Sequence, residues 1–217
     1  MVRAPGVWAT RKLRAAEAVW RAHGLRGMRS AARHWLFSRG TYVRLRLDLE
    51  TWTAATMARG GIDISRGDGE ALPVAERGWQ RLPVEFQLRV RGRRFYLVRC
   101  DGEVAHVSWV LFPGDRSRFL ALGRGDVEIT DSHTATAFRS RGIYTLVLSR
   151  ILEDMKREGF RTAYAHVLLG NESSRRAMRA AGFQPRAVVS LTRLAGIYRT
   201  TVRAADSSQA ASCSASC

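Results

Sequence analysis

The chain has 217 residues and a mass of 24.3 kDa, enough for one medium-sized domain or for a domain with an extension. Apolar residues make up 46% of it, so it can bury a full core and is not a disordered chain. Neither a membrane-spanning helix nor a secretory signal is expected, because arginines interrupt the apolar runs. Three cysteines are too few for a disulfide framework or a four-cysteine zinc site, which predicts a cytoplasmic protein without a metal centre.

The charge of the chain is strongly positive. It contains 36 basic and 19 acidic residues, which gives a net charge of +17, and only two of the basic residues are lysines. Such an excess predicts anionic partners, of which nucleotide phosphates, anionic lipids and nucleic acids are the main classes.

The N-terminal segment carries much of this charge, with eleven basic residues and one acidic residue in 1–46. Arginines alternate with apolar residues at helical spacing, which predicts two basic amphipathic helices joined near Gly24. One interpretation is that they pack on the domain with a solvated arginine face. The other is that they lie on an anionic membrane surface with Trp20 and Trp35 at the headgroup level, which would place the protein peripherally at the inner membrane. No recognition motif accompanies the charge, so a nucleic-acid partner is not expected.

The rest of the chain has the pattern of an α/β domain. Asp101-Gly102 is a strong hairpin signal between two apolar runs. The predicted strands are an extended segment within 41–59, then 61–65, 94–100, 103–112, 126–136, 162–169 and a strand pair over 187–202, and the predicted helices are 68–91, 142–158 and 172–181. We therefore divide the chain into a basic helical extension (1–59), an α/β domain (60–205) and a disordered polar tail (206–217), which holds Cys213 and Cys217 without a readable role.

A basic turn follows the strand that ends near Phe138. The sequence Arg139-Ser140-Arg141-Gly142-Ile143-Tyr144 leads directly into a helix. Backbone N–H groups at a helix N-terminus attract anions, and the two arginines can add charge-assisted contacts to a phosphate. The turn is therefore either a pyrophosphate-binding loop or an ordinary turn with solvated arginines. It lacks the Gly-Lys-Ser/Thr ending of a P-loop and the three glycines of a dinucleotide fingerprint.

These residues resemble a known family. An Arg-x-x-Gly-x-x turn after a strand, an amphipathic helix, a strand leading to Asn171 and a helix ending in Ala181-Gly182-Phe183 are similar to the GNAT superfamily of acyl-CoA-dependent N-acyltransferases. The resemblance covers about residues 60–205, and its specific part is 126–184. It implies a mixed, mostly antiparallel sheet of six to seven strands flanked by helices, with acetyl-CoA as the co-substrate.

The resemblance also implies where acetyl-CoA binds. The strands at 126–136 and 162–169 would run parallel and splay apart, and the gap would hold the pantetheine arm. Backbone groups of 134–136 would bond the arm, N–H groups of 139–145 would hold the pyrophosphate, and the Asn-x-x-Ser segment would line the other side, where Asn171 would also cap the helix. The implied cofactor-binding residues are Thr134, Ala135, Thr136, Arg139, Ser140, Arg141, Gly142, Ile143, Tyr144, Thr145, Asn171 and Ser174.

Two positions depart from the family pattern. Tyr144 occupies the last motif position, where glycine or alanine is usual; its side chain is expected to point off the phosphate loop and to alter cofactor packing without abolishing binding. Met178 occupies the position seven residues after Asn171, where many members have a tyrosine that protonates the departing thiolate. If the protein is an enzyme, the thiolate is protonated by another group or by water, or leaves unprotonated.

Acyl transfer to an amine needs a group that accepts the amine proton. The candidates on the strand before the motif are Glu128, Asp131 and His133. Strand alternation predicts that Glu128 shares a face with Thr130, Ser132 and Thr134, and that Asp131 and His133 share the other. Glu128 is favoured because it precedes Arg139 by eleven residues, the spacing of the basic glutamate in protein-modifying members. A water-relayed base stays open. An oxyanion donor is expected among the backbone N–H groups of 134–136, and His166 is either an acceptor contact or a satisfied strand residue.

Together these features predict an N-acetyltransferase that acylates a primary amine by direct attack. The acceptor cannot be read from the residues, although the Thr-x-x-x-x-Arg-x-Arg-Gly-Ile-Tyr variant resembles members associated with amino sugars and cell-envelope glycans. The alternative is a non-catalytic acyl-CoA-binding or interaction module, recruited to an anionic membrane or nucleic acid by the basic N-terminus.

Overall fold

The computed structural model describes residues 37–54, 62–68, 94–194 and 197–204, together with a few single positions between 17 and 25. The predicted N-terminal helices, the helix predicted over 68–91 and the polar tail lie outside these residues, apart from those single positions and Asp68. Among the described residues no helix is both long enough and apolar enough to cross a membrane.

The described chain forms one eight-stranded sheet with two helices. The strands are β1 (Phe37–Asp48), β2 (Ile62–Asp68), β3 (Arg94–Cys100), β4 (Glu103–Leu111), β5 (Asp126–Thr134), β6 (Thr162–Leu168), β7 (Gln184–Leu194) and β8 (Ile197–Ala204), and the helices are α1 (Ile143–Arg157) and α2 (Glu172–Ala180). The strand order is β2-β3-β4-β5-β6-β1-β7-β8. In the part that the structure describes, β5 and β6 are the one parallel pair. The mixed, mostly antiparallel sheet is confirmed, with eight strands in place of the six to seven predicted.

Strand β1 corrects the predicted domain boundary. It lies between β6 and β7 and pairs antiparallel with both, so residues 37–48 belong to the centre of the sheet and not to a separate helical extension. Val43, Leu45 and Leu47 are buried on one face. Arg44 and Arg46 alternate with them on the other face, in agreement with the extended segment predicted within 41–59.

The hairpin between β3 and β4 follows the local sequence signal. Asp101 and Gly102 both adopt positive φ, at 52° and 74°, as a two-residue turn with a right-handed twist requires. A side chain at Gly102 would be strained in this region of φ, which explains why Asp-Gly stands there. The predicted strand bounds on either side agree with β3 and β4 to within one residue.

The two faces of the sheet are covered differently. Helix α1 buries Val147, Ile151 and Met155 against one face, in the main hydrophobic core. There the Tyr96 hydroxyl donates to Asp154 over 3.0 Å, and burial, followed by the negative charge of Asp154, raises the pKa of this tyrosine. The opposite face is covered in part by the loop between β4 and β5, where Phe119 packs with β7 in a second, smaller cluster.

Candidate active site

A gap opens between β5 and β6. The two strands pair in parallel only from Asp126 to Ile129 and from Thr162 to Ala165. Beyond these residues the strands have no common ladder, although each keeps its antiparallel neighbour, β4 for β5 and β1 for β6. The predicted splaying of the two strands is confirmed. The gap has its apex near Ile129 and Ala165 and opens toward the loop before α1.

A bulge at Asp131 changes which residues of β5 face which side. Asp131 has a φ of 45°, and β4 pairs Trp109 with Thr130 but Val107 with His133, so Ser108 opposes two residues. Because directly opposed residues lie on one face, the side chains of Ser132 and Thr134 lie on the α1 face. The side chain of His133 returns to the face of Glu128. The predicted alternation is therefore wrong beyond Thr130, since one inserted residue reverses every later side chain.

The open end of the gap carries the predicted anion-binding loop. Ser140 and Gly142 adopt φ of 61° and 71°, and Gly142 precedes α1 without a side chain that could cap it. The first N–H groups of α1 therefore have no partner within the helix and point out of its positive end. Arg139 and Arg141 are exposed beside them, with the Arg141 guanidinium 5.4 Å from the ring centre of Phe138. This arrangement fits a diphosphate.

The segment predicted to hold the pantetheine arm uses several of its backbone groups within the chain. Strand β5 ends at Thr134 and is followed by a 3-10 turn over Thr136–Phe138. The Ala135 N–H donates to Ala105 O over 2.9 Å, and the Ala135 carbonyl accepts from the N–H of Phe138. The Thr134 carbonyl accepts from Nε of Arg139 over 3.1 Å. A pantetheine arm would have to replace some of these hydrogen bonds or to bind the backbone N–H and carbonyl groups of 134–136 that they leave.

The far wall of the gap is the start of α2. Asn171 Oδ1 accepts hydrogen bonds from the N–H of Ser174 over 3.2 Å and from the hydroxyl of Ser173 over 3.0 Å. Asn171 therefore caps the helix, as one of its two predicted roles required.

Glu128 lies at the apex, in a buried chain of polar side chains. Its Oε1 is 3.0 Å from Nδ1 of His166, and both side chains are 1% exposed. Arg44 donates from Nε to Nε2 of His166 over 3.0 Å and from its NH2 group to the carbonyl of Phe119 over 3.0 Å. Nε2 is thus an acceptor, so the imidazole proton lies on Nδ1 and is donated to Glu128. Burial, together with the charges of Arg44 and Arg118, lowers the pKa of His166 more than Glu128 raises it, so this histidine is neutral near pH 7.

The second carboxylate oxygen of Glu128 makes this residue the strongest candidate base. Oε2 is buried and has no hydrogen-bond partner among the described residues. A buried acceptor without a partner is costly unless a ligand or water supplies a donor. Glu128 lies beside the last β5–β6 pair, at the apex of the gap.

The other two predicted bases have different surroundings. Asp131 forms an ion pair with Arg118 over 2.9 Å, with side chains 1% and 10% exposed. Burial, the largest single effect, lowers the pKa of the Arg118 guanidinium, but Asp131 and the smaller effects of Tyr42, Glu128 and Tyr198 together raise it more. A carboxylate paired in this way is a weak proton acceptor. Burial, followed by the charge of Arg139, lowers the pKa of His133, which lies on the face of Glu128.

A second polar chain crosses the α1 face and was not predicted. His106 is fully buried, with Nδ1 2.7 Å from the Thr134 hydroxyl and Nε2 2.7 Å from the Ser108 hydroxyl. Ser108 in turn donates to the hydroxyl of Ser132 over 2.7 Å. The sequence feature that could have predicted this chain is the pair His106 and Ser108, two polar residues on one face of a strand that is otherwise mostly apolar.

Tyr144 packs beside this second chain. Its ring stacks on His106 at a centroid distance of 5.4 Å. Burial raises the pKa of Tyr144, and the neighbouring side chains of Ser174 and Ser132 oppose this rise. The side chain thus points away from the phosphate loop, as expected, and packs against the main core. Met178, at the position where a proton donor is usual, is 2% exposed within that core.

The buried histidines predict that the fold weakens in mild acid. Burial, and next the charge of His133, lowers the pKa of His106 to about 3, against 6.5 for a free histidine. Below pH 6.5 the unfolded chain therefore binds a proton that the folded chain rejects, so stability is complete above pH 6.5 and is lost as the pH falls toward 3. His133 and His166 act in the same direction.

Urea unfolding measures this loss. Between neutral pH and about pH 5, wild type is expected to lose about 2 kcal/mol more unfolding free energy than His106→Gln, because the variant lacks one titrating group. Equal losses in the two proteins would show that His106 is already protonated, or equally accessible to protons, in the folded state.

Comparison with known proteins gives the family of this chain. The profile of the Acetyltransferase (GNAT) family matches residues 67–183, more than half of the chain, so the chain belongs to this family. GNAT acetyltransferases use acetyl-CoA as the co-substrate and transfer its acetyl group to an amine. No curated protein matches the sequence.

Solved structures share the fold at low sequence identity. A GNAT-family protein from Novosphingobium aromaticivorans is 19% identical with a TM-score of 0.50, and the match covers 71% of this chain and 64% of that one. A Drosophila protein is 15% identical with a TM-score of 0.53, covering 79% and 57%. A tandem GNAT protein from the clavulanic acid biosynthesis pathway is 20% identical with a TM-score of 0.51, covering 73% and 54%. The chain therefore matches less than two thirds of the length of each, and the similarity shows the fold alone.

Proposed function

We propose that the protein is an N-acetyltransferase that transfers the acetyl group of acetyl-CoA directly to a primary amine. The observation that carries the proposal is the gap between β5 and β6, which has an anion-binding loop at its open end and a buried carboxylate at its apex. Family membership supports the reaction class, and the geometry supports the roles of the residues.

In this proposal the open end of the gap binds the cofactor and the apex carries out the proton transfer. The N–H groups at the start of α1, with Arg139 and Arg141, would hold the pyrophosphate, and the walls of the gap would hold the arm. Oε2 of Glu128 takes a proton from the amine, while His166 and Arg44 keep the carboxylate in place through Oε1. The donor to the tetrahedral oxyanion is sought among the backbone N–H groups of 134–136, of which that of Ala135 already donates to the carbonyl of Ala105.

For the acceptor, we propose an amino sugar or a related cell-envelope precursor. The support is the Thr134-to-Tyr144 motif variant, which resembles that of members associated with amino sugars and cell-envelope glycans. Full-length protein incubated with acetyl-CoA and glucosamine, spermidine or lysine should release thiol fastest with glucosamine. Faster turnover of another amine would reject the amino sugar and keep the transferase. Acetyl-CoA binding without thiol release with any amine would favour the non-catalytic module.

The anion-binding loop gives a sharp test of the cofactor site. Arg139→Ala/Arg141→Ala is expected to weaken acetyl-CoA binding roughly 10- to 100-fold in calorimetry, because two exposed charge-assisted contacts are lost. Arg150→Ala/Arg157→Ala removes the same charge farther along α1, where the side chains are 50% and 69% exposed, and should leave the affinity within a few-fold. Equal losses in both double variants would mean that net charge, not the loop, attracts the ligand.

A further inference from the structure

Three large apolar side chains form an exposed row at one end of the sheet. Phe37 begins β1, Leu194 ends β7 and Ile197 begins β8, and the three residues are 58%, 65% and 74% exposed. Phe37 is paired with Leu194 and Leu194 with Ile197, so their side chains lie next to one another on one face. Single exposed apolar residues are common, but several at adjacent positions indicate a surface that binds a partner or a membrane.

Arginines follow this apolar row on the same face of the sheet. Arg39 and Arg199 are each paired with Thr192, one on either side of it, and each lies two residues along its strand from the row. Both arginines are exposed. The stretches 37–47 and 184–204 contain three and four arginines and no acidic residue, so neither stretch neutralises its own charge. Positive charge therefore borders the apolar row.

The apolar row and the arginines together fit an anionic lipid surface. A second copy of the chain docked through the same face would bring arginines against arginines, which is unfavourable. A nucleic acid would use the arginines but not Leu194 and Ile197, because bases stack on aromatic rings and not on aliphatic side chains. At a membrane, apolar side chains enter the boundary between headgroups and acyl chains, and arginines meet the lipid phosphates.

The spacing between the apolar row and the arginines agrees with this partner. Two residues along a strand correspond to about 7 Å, so Arg39 and Arg199 lie about that far from the row. Apolar residues of proteins that lie on a membrane surface enter it by roughly 5 to 10 Å. With the row at that depth, the two arginines are level with the headgroups, where the anionic charge is.

We propose that Phe37, Leu194, Ile197, Arg39 and Arg199 form a docking surface for an anionic membrane. These residues belong to three strands of the sheet, so the surface depends on the folded domain and not on the N-terminal segment alone. The inference is independent of acetyl transfer, because the candidate active site lies between β5 and β6. Docking would hold the protein at the membrane surface without a change in the acetyl-CoA site.

Co-sedimentation of the full-length protein with vesicles tests the apolar row. Wild type should pellet with vesicles of phosphatidylcholine and phosphatidylserine and bind weakly to phosphatidylcholine alone. Leu194→Ser/Ile197→Ser should weaken binding to the mixed vesicles roughly 10- to 100-fold, because two apolar side chains no longer leave water. Val202→Ser is the matched control, since Val202 is a 50% exposed apolar residue on the opposite face of β8, and it should bind as wild type does.

The same assay tests the arginines. Arg39→Ala/Arg199→Ala should weaken binding to the mixed vesicles roughly 10- to 30-fold at low salt and less at high salt, because two contacts with anionic headgroups are lost. Arg150→Ala/Arg157→Ala makes the same change of charge on α1 and should alter binding by no more than a few-fold. Equal losses in the two pairs would overturn the proposal, because net charge alone would then hold the lipid.

Other outcomes would also overturn the docking surface. Failure of wild type to bind the mixed vesicles, or wild-type binding by Leu194→Ser/Ile197→Ser, would show that this end of the sheet does not dock on lipid. A wild-type dimer in sedimentation velocity that Leu194→Ser/Ile197→Ser dissociates would identify a second copy as the occupant. Tighter binding of single-stranded DNA than of mixed vesicles, lost only in Arg39→Ala/Arg199→Ala, would identify a nucleic acid.

Discussion

Glu128→Gln is expected to lower kcat by roughly 10²- to 10⁴-fold while acetyl-CoA binds as tightly as it does to wild type. The amide keeps an oxygen that can accept from Nδ1 of His166, so the buried chain with Arg44 persists. It cannot take a proton from the amine, because an amide is not a base near neutral pH. Steady-state kinetics and calorimetry on one preparation separate the two effects.

A matched control is Asp154→Asn. Asp154 is, like Glu128, a buried carboxylate, and its side chain is 2% exposed. It lies on α1, away from the apex of the gap, and binds Arg150 and Arg157 of the same helix and Tyr96 of β3. The substitution should reduce stability and leave kcat within a few-fold. Wild-type kcat in Glu128→Gln would contradict Glu128 as the base and would return attention to His133, which lies on the same face of β5.

Leu45→Ala is expected to reduce the free energy of unfolding by about 2 to 5 kcal/mol. Leu45 is 1% exposed in β1 and belongs to the main core, so the shorter side chain leaves a cavity in the middle of the sheet. Urea denaturation measures the change. Arg39→Ala, at an exposed position of the same strand, should alter stability by less than about 0.5 kcal/mol. Equal small effects at both positions would show that β1 is a peripheral strand.

Much of the fold follows from local patterns. The Asp101-Gly102 turn, the apolar face of α1 and the alternation within β3 and β4 depend on neighbouring residues, and their bounds were predictable to within a few positions. The family motif also allowed the splaying of β5 and β6 to be predicted, because this motif occurs in one particular arrangement of strand, loop and helix. Local periodicity accounts for elements, and the motif accounts for how they meet.

The position of β1 could not be predicted in the same way. Nothing within residues 37–48 indicates that the strand pairs with β6 and β7, whose residues follow more than a hundred positions later. The alternation of Arg44 and Arg46 with leucines was visible, but it fits either a strand at the edge of a sheet or one at its centre with a polar face. Tertiary pairing decides between them.

The residues of the candidate site that belong to a motif with fixed spacing could be predicted. The residues that reach the site through contacts between distant strands could not. Glu128 was predicted from its spacing along the sequence, eleven residues before Arg139. The partners that orient it, His166 and Arg44, come from β6 and β1 and were not predicted as such. The bulge at Asp131 gave no sequence signal and reversed the predicted faces of Ser132 and His133. Such features depend on register between strands, which one sequence does not determine.

Hydrogen–deuterium exchange of the full chain with and without acetyl-CoA tests the central claim most directly, because it locates the ligand as well as detecting it. The account predicts slower exchange over residues 130–145 and 169–175, which form the walls and open end of the gap, and unchanged exchange in β7 and β8. Binding of acetyl-CoA without protection of these two segments, or with protection confined to other parts of the chain, would contradict the assignment of the gap as the acyl-CoA site.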